Sequence, residues 1–110
     1  MTERSKKYLS DLLRAIALIE EFIEGIDDFN IYERDLKTQS AIERQLVIIG
    51  KALNQIQKLE PTLFIKYDRR IIGFRNRLVH AYNDIDNAIV WAILHRHLTP
   101  LKQKVEALLF

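Results

Sequence analysis

The chain has 110 residues, 48% of them hydrophobic and 29% charged, with three glycines, two prolines and no cysteine. This composition excludes a disordered or collagen-like chain, and the lack of cysteine excludes disulfides and zinc–thiolate sites. The apolar runs are far shorter than the roughly 20 residues that span a bilayer, and the N-terminus does not resemble a signal peptide. We therefore expect one soluble, cytoplasmic domain over residues 1–110, without membrane contact.

Two long amphipathic helices are predicted in the first half of the chain. Apolar residues at three- and four-residue steps predict a helix from about Ser5 to Ile26, and a connector with room for one helical turn follows over 29–35. The same spacing predicts a second helix from about Thr38 to Leu59, with an apolar stripe wide enough to be buried on more than one side. Gly50 lies inside this helix, and we interpret it as a point of close helix–helix approach rather than a kink.

A third helical segment is predicted after Pro61. This proline ends the second helix, because the residue before a proline avoids the helical region. Pro61 and Thr62 can then begin a segment that runs, broken or continuous, to about Ala81.

The last helix is predicted from Asn87 towards Leu109, with Asp86 as its N-cap. Pro100 interrupts it, so we expect a kink or break near Leu98–Thr99. Four helices with short connectors and no strand pattern predict an all-α, antiparallel four-helix bundle.

The charged residues are distributed unevenly along the chain, with a basic segment over residues 66–80. The net charge of +2 does not by itself predict nucleic-acid binding. Residues 66–80, however, carry five basic side chains against one acid, which are Lys66, Arg69, Arg70, Arg75 and Arg77 against Asp68. A solvated helix face remains an open interpretation of such a run. A domain of this size buries only roughly two-thirds of its unfolded surface, so we also expect a homodimer.

Two of the three histidines, His95 and His97, are two residues apart on a predicted helix. Their side chains would therefore point about 200° apart and cannot bind one metal ion together. We interpret both as surface or packing residues. No metal-ligand motif accompanies them, and we expect neither a metal site nor a cofactor.

The third histidine, His80, has polar neighbours at helical spacing. Asn76 and Arg77 precede it by four and three residues and share its face. Arg75 is five residues back, about 140° around the helix. It reaches His80 only through its long side chain, through distortion of the helix end, or across a dimer interface. Tyr82 follows where the helix should end, so its ring can fold back.

These side chains suit a phosphodiester. An arginine binds a phosphate bidentately, and a histidine transfers protons near neutral pH. In RNA the 2′-hydroxyl is a built-in nucleophile, so the protein supplies only acid–base help and charge stabilisation. The residues alone leave an alternative open, in which Arg75 and Arg77 form surface ion pairs and His80 stabilises a helix C-terminus.

The aromatic residues do not form one stripe for base stacking. We expect Phe22 and Trp91 in the core, and we find no context that distinguishes Tyr67, Tyr8 or Tyr32. Tyr82 is the aromatic residue that we expect to be functional.

The string from Ile71 to Tyr82, Ile-Ile-Gly-Phe-Arg-Asn-Arg-Leu-Val-His-Ala-Tyr, resembles the HEPN superfamily and, more narrowly, the HepT toxins. Their motif is Arg, a polar residue, three residues, His, one residue and Tyr, and every position is matched. The segments 39–46 and 48–52 also resemble the second helix of the family, and 88–91 with 98–101 resemble its last helix, although Lys51 stands where an acid is common.

The resemblance implies a four-helix fold and a homodimer that brings two copies of the motif to a shared cleft. It also implies ribonuclease activity on tRNA or other cellular RNA. The implied partner is a nucleotidyltransferase antitoxin of the MntA type, which transfers AMP from ATP to a motif tyrosine, and an oligomer of higher order with that antitoxin is an alternative to the dimer.

The motif positions give each residue a predicted role. Arg75 would bind the phosphate and stabilise transition-state charge, and His80 would be the general acid–base. Asn76 would orient His80 or the substrate, Arg77 has either a backbone-contact or a solubility role, and Tyr82 would be the adenylylated residue.

Two other functional classes compete with the ribonuclease toxin. One is a non-catalytic helical partner of a nucleotidyltransferase, whose basic segment docks nucleic acid or nucleotide and whose RNA binding is salt-sensitive. The other is a purely structural dimer subunit, in which replacing His80 would affect stability alone.

Overall fold

A computed structural model describes residues 1–80 and 85–110 of the chain. These residues form six α-helices, and no strand is present among them. In chain order the helices are α1 (Glu3–Ile23), α2 (Phe29–Arg34), α3 (Leu36–Leu59), α4 (Asp68–His80), α5 (Asn87–Arg96) and α6 (Leu98–Leu109). The prediction of an all-helical fold is confirmed, whereas the described part of the chain holds six helices rather than four.

Helix α3 is the centre of the packing. Its most extensive contacts are with α1 and then with α4, while α6 packs on α1 and α2 packs on α3. Its buried positions recur every three or four residues, from Ile42 through Leu46, Ile49 and Leu53 to Ile56. The wide apolar stripe of this helix is thus buried on more than one side, as predicted.

The first helix is shorter than predicted. It begins at the N-cap Thr2, whose hydroxyl accepts a hydrogen bond from the backbone N–H of Ser5, and it ends at Ile23 instead of Ile26. Gly25 has a φ of 81°, a left-handed conformation that glycine adopts without strain. The connector then contains α2, which starts at the N-cap Asp28.

The second long helix begins two residues earlier than predicted. The Asp35 carboxylate accepts hydrogen bonds from the backbone N–H and the hydroxyl of Thr38, so that the helix starts at Leu36. It ends at Leu59, directly before Glu60 and Pro61, where the proline predicted its end.

Residues 61–67 are not helical, and the third helix begins at Asp68 rather than Pro61. Burial alternates along this segment. Ile65 is buried and Leu63 and Tyr67 are partly buried, while Phe64 and Lys66 are exposed. Residues 63–65 lie between turns at 61–62 and 66–67, and a helix would not bury Leu63, Ile65 and Tyr67 together. Tyr67 closes the segment with a φ of 70°, which a helix cannot accommodate.

The last predicted helix is divided at His97. Asp86 is the N-cap of α5, as predicted, and its carboxylate accepts from the backbone N–H of Ala88 at 2.8 Å. The chain turns at His97, and Pro100 is the third residue of α6. A proline fits there, because the first N–H groups of a helix have no partner within it. In the described residues, no helix combines the length and the apolar character needed to cross a membrane.

Candidate active site on helix α4

Helix α4 has one face in the core and one face in solvent. Ile71, Phe74 and Leu78 are buried at three- and four-residue steps, and they hold the helix against α3. The opposite side is polar and exposed, and its residues are Arg69, Arg70, Gly73, Asn76, Arg77 and His80. The predicted motif therefore lies on a helix whose orientation is fixed by core packing.

The side chain of Arg75 extends from α4 directly beside Gly50 of α3. A Cβ atom at position 50 would lie only 2.6 Å from Cγ of Arg75 and closer still to its Cβ. The glycine thus allows the two helices to approach closely, as the sequence predicted. The side chain of Arg75 is partly buried as a result.

The guanidinium of Arg75 is held at one end and open at the other. Its Nε is buried and has no hydrogen-bond partner among the described residues. Its Nη1 donates to Oδ1 of the exposed Asn76 at 3.1 Å. This bond links Asn76 to Arg75, and the role of Asn76 in orienting His80 or the substrate stays a prediction.

Asn76, Arg77 and His80 are brought together on the solvent face of α4. Asn76 and Arg77 precede His80 by four and three residues in one continuous helix, and all three side chains are exposed. His80 is the last residue of the helix, where the helix dipole favours a cation. Tyr82, the predicted regulatory residue, lies outside the described residues.

Arg75 and His80 are on different faces of the helix. Because α4 is continuous from Asp68 to His80, five residues separate their side chains by about 140°. Arg75 starts on the side that faces α3, whereas His80 is exposed. In a single copy of α4, the side chains of the two predicted catalytic residues therefore point in different directions.

A cavity of about 850 Å³ lies between α4 and α5, next to the motif. Four arginines line it, namely Arg69, Arg70, Arg77 and Arg96. Between them lie Gly73, Phe74 and the α5 residues Ala88, Ile89, Ala92 and Ile93. The cavity combines a basic rim with an apolar floor, and Arg77 belongs both to it and to the His80 face.

Tyr67 and His97 also line this cavity. Their rings stack with centroids 4.2 Å apart, and Nζ of Lys66 lies 5.0 Å from the centre of the tyrosine ring. His97 is 5% exposed, and no described residue forms a hydrogen bond with its Nδ1. Burial lowers the pKa of His97, with smaller contributions from the positive charges of Arg70 and Arg96, so the ring favours its neutral form.

The sequence did not identify Tyr67, Gly73 or the cavity. The positive φ of Tyr67 is a rare conformation for a residue with a side chain, and nothing in its neighbours predicts it. His97 was interpreted as a packing or surface residue, and it is indeed buried. The one feature of the sequence that could have indicated the cavity is Gly73, which lies among the arginines of α4.

The fold and site define an all-helical protein in which one exposed helix face, on α4, carries Asn76, Arg77 and His80. Residues 12–108 match the family model described as Ribonuclease HepT-like. A Thermococcus cleftensis protein named "Probable ribonuclease HepT" is 37% identical over 112 aligned positions, which cover 98% of each chain.

A Methanocaldococcus jannaschii protein, provisionally named an RNase, is 30% identical and covers 92% of this chain and 93% of its own. Another, from Caldanaerobacter subterraneus subsp. tengcongensis, is 27% identical over 94% of this chain and 93% of its own, and it is also provisionally named an RNase. No solved structure matches with comparable significance. The chain belongs to the HepT-like ribonuclease family, and ribonuclease is the enzyme class that this membership gives it.

Proposed function

We propose that this protein is the metal-independent endoribonuclease toxin of a toxin–antitoxin pair. It cleaves tRNA or other cellular RNA at a site made by two copies of α4, and a nucleotidyltransferase antitoxin of the MntA type neutralises it by adenylylating Tyr82. The observation that carries the two-copy site is the position of Arg75 and His80 on different faces of one continuous helix.

A twofold dimer resolves this geometric difficulty. In a twofold interface the same surface of each copy meets its equivalent, so two α4 helices face one another. Arg75 of one copy then binds the phosphate at which His80 of the other copy transfers the proton. Two equivalent sites result from one interface.

The cleavage step needs no external nucleophile. His80 removes the proton from the 2′-hydroxyl, the 2′-oxygen attacks the adjacent phosphorus, and the bond from phosphorus to the 5′-oxygen breaks. The leaving 5′-oxygen takes up a proton, which gives a 2′,3′-cyclic phosphate and a 5′-hydroxyl. Each atom of the products comes from the RNA and from proton exchange.

Arg75 stabilises the charge that develops on the phosphoryl oxygens. Its stem is fixed against Gly50 and its Nη1 is held by Asn76. Because the side chain is already ordered, it loses little conformational entropy when it binds the phosphate. Arg77, exposed on the His80 face, contacts the neighbouring RNA backbone.

Adenylylation explains control of this site. The Tyr82 hydroxyl attacks the α-phosphorus of ATP, pyrophosphate leaves, and an AMP group remains on the phenolic oxygen. The added group is bulky and anionic, and it lies two residues after His80 in the sequence. It prevents RNA from entering the site, because it occupies the space and because its negative charge repels the phosphates of the RNA.

Cleavage of RNA in the presence of EDTA tests this proposal. The purified wild type should release a cyclic-phosphate product, and Arg75→Ala and His80→Ala should each abolish the release. Arg14→Ala and His95→Gln, exposed residues on α1 and α5, are the matched controls and should retain activity. RNA binding without turnover by the wild type would instead support a non-catalytic binding module, and full activity of both motif variants would exclude the assigned roles.

A further inference from the structure

We propose that the cavity between α4 and α5 is a subsite for unpaired nucleotides of the RNA, next to the phosphate that is cleaved. This inference rests on the proposed function, because it names the form of RNA that the site accepts. Phosphates would contact the arginine rim, and bases would lie on the apolar floor.

The charge of the cavity selects an anionic ligand. Four arginines line it, and none of the described lining residues is acidic. Arginine binds phosphate oxygens bidentately and keeps its charge at every working pH. The whole chain has a net charge of only +2, so this concentration of four positive charges is local.

The apolar floor selects a ligand that is more than a phosphate. Ala88 and Ile89 of α5 are exposed at the cavity, Ile89 with 37% of its surface. Nucleobases have apolar faces that stack on such surfaces, whereas a free phosphate or a duplex backbone gains nothing from them. In a duplex the bases are stacked and paired inside the helix, so the floor favours single-stranded or loop RNA.

Gly73 supplies an independent indication of a ligand. It lies in the middle of α4, where glycine costs up to about 1 kcal/mol relative to alanine. A Cβ atom at Gly73 would meet no described residue within 4 Å, so packing against residues 1–80 and 85–110 does not require a glycine here. Gly50 shows the contrast, because its missing Cβ is the space that Arg75 occupies. The open position at Gly73 is explained by a ligand that comes close to the backbone.

The cavity and the motif follow one another along the same helix. Arg70, Arg77 and His80 line one side of α4, and ten residues of helix place Arg70 about 15 Å from His80 along the axis. An extended single strand covers this distance with a few nucleotides. Arg77 lies between them and links the subsite to the reacting phosphate.

Substitution at Gly73 tests the subsite without changing the motif. Gly73→Leu fills the cavity, and Ala17→Leu, at an exposed position of α1, is the control. Two substrates are compared, a dinucleotide that spans only the cleaved bond and an unstructured octanucleotide. We expect Gly73→Leu to lower kcat/KM about tenfold or more for the octanucleotide and to leave dinucleotide cleavage unchanged. An equal effect on both substrates, or on neither, would overturn the proposal.

Binding separates failure of the subsite from failure of the proposed function. An octanucleotide with 2′-deoxy sugars cannot be cleaved by the 2′-hydroxyl route, and its affinity is measured by fluorescence anisotropy. Gly73→Leu should weaken this binding, and Arg70→Gln should lower the slope of log affinity against log salt by about 0.7, with Arg34→Gln as the control. If the wild type cleaves no RNA but these changes appear, the subsite stands and the proposed function fails. Unchanged binding in both cavity variants overturns the subsite.

A second copy of the chain is the competing occupant of the cavity. Sedimentation of the wild type and Gly73→Leu distinguishes the two. The proposal expects the same oligomeric state for both proteins, with CD melting to show that both are folded. Dissociation of a wild-type dimer by Gly73→Leu would assign the cavity to the interface between copies and overturn the RNA subsite.

Discussion

Arg75 of α4 occupies the space where any residue other than glycine at position 50 of α3 would carry its Cβ atom. The proposed phosphate-binding residue is therefore positioned by a helix contact in the core. Its Nη1 is in turn held by Asn76 at 3.1 Å. Packing between α3 and α4 thus fixes the direction of a functional side chain.

Gly50→Ala should destabilise the protein and impair cleavage together. The new methyl group would meet Cβ and Cγ of Arg75, so the backbone of α4 must move. Overpacking costs about 1–3 kcal/mol, and the better helix propensity of alanine offsets up to about 1 kcal/mol of it. Urea unfolding measures the free energy of unfolding, and a variant as stable as the wild type would contradict the close contact.

Gly73→Ala should have the opposite effect on stability. The added Cβ meets no atom of the described residues within 4 Å, and alanine restricts the unfolded chain more than glycine does. We expect the free energy of unfolding to rise by about 0.5–1 kcal/mol. The same urea titration compares this variant with Gly50→Ala, and a loss of stability would mean that α4 is not a regular helix at this point.

The stability of the protein should fall as the pH is lowered below the ordinary pKa of histidine, about 6.5. Burial, then the charges of Arg70 and Arg96, lower the pKa of His97 in the folded state. The unfolded chain therefore binds more protons between the two pKa values, and stability is lost as the pH falls through that window. Above it the contribution is constant.

His97→Gln provides the comparison for this pH effect. Urea unfolding at pH 7.5 and 5.5 should show a smaller loss of stability in the variant than in the wild type, because the titrating ring is gone. Parallel changes in the two proteins would assign the pH effect to other groups.

The adenylylation proposal concerns Tyr82. Co-expression with a nucleotidyltransferase antitoxin should increase the intact mass of the chain by AMP units, and Tyr82→Phe should remove the increase. Tyr8→Phe, near the start of α1, is the control and should still be modified. An unmodified wild type, or an equal increase in Tyr82→Phe, would remove this part of the proposal.

The local signals in the sequence predicted much of the fold. Pro61 ends α3, Asp86 caps α5 and Gly50 marks a close helix contact, as predicted. The first two features depend on one residue and its immediate backbone, whereas the contact at Gly50 also needs Arg75 of another helix. The period of the apolar residues likewise predicted where the long helices bury their side chains.

Features that depend on distant contacts were not predictable in the same way. Thr62 was expected to begin a helix, but it lies in a turn, and Leu63 and Ile65 of the non-helical segment that follows pack into the core. The left-handed conformation of Tyr67 and its stacking on His97 join residues thirty positions apart. The cavity needs α4 and α5 in place before it exists, so only the structure reveals it.

Complementation between inactive variants tests the two-copy site most directly. Arg75→Ala and His80→Ala chains are unfolded together, refolded as a mixture and assayed for RNA cleavage. Half of the dimers contain one of each chain, and each of these has one intact site of two, so activity should return to about one quarter of the wild-type value. Each variant refolded alone is the control and should stay inactive. A mixture that also stays inactive, although mixed dimers are present by mass spectrometry, would contradict a site shared between two copies of α4.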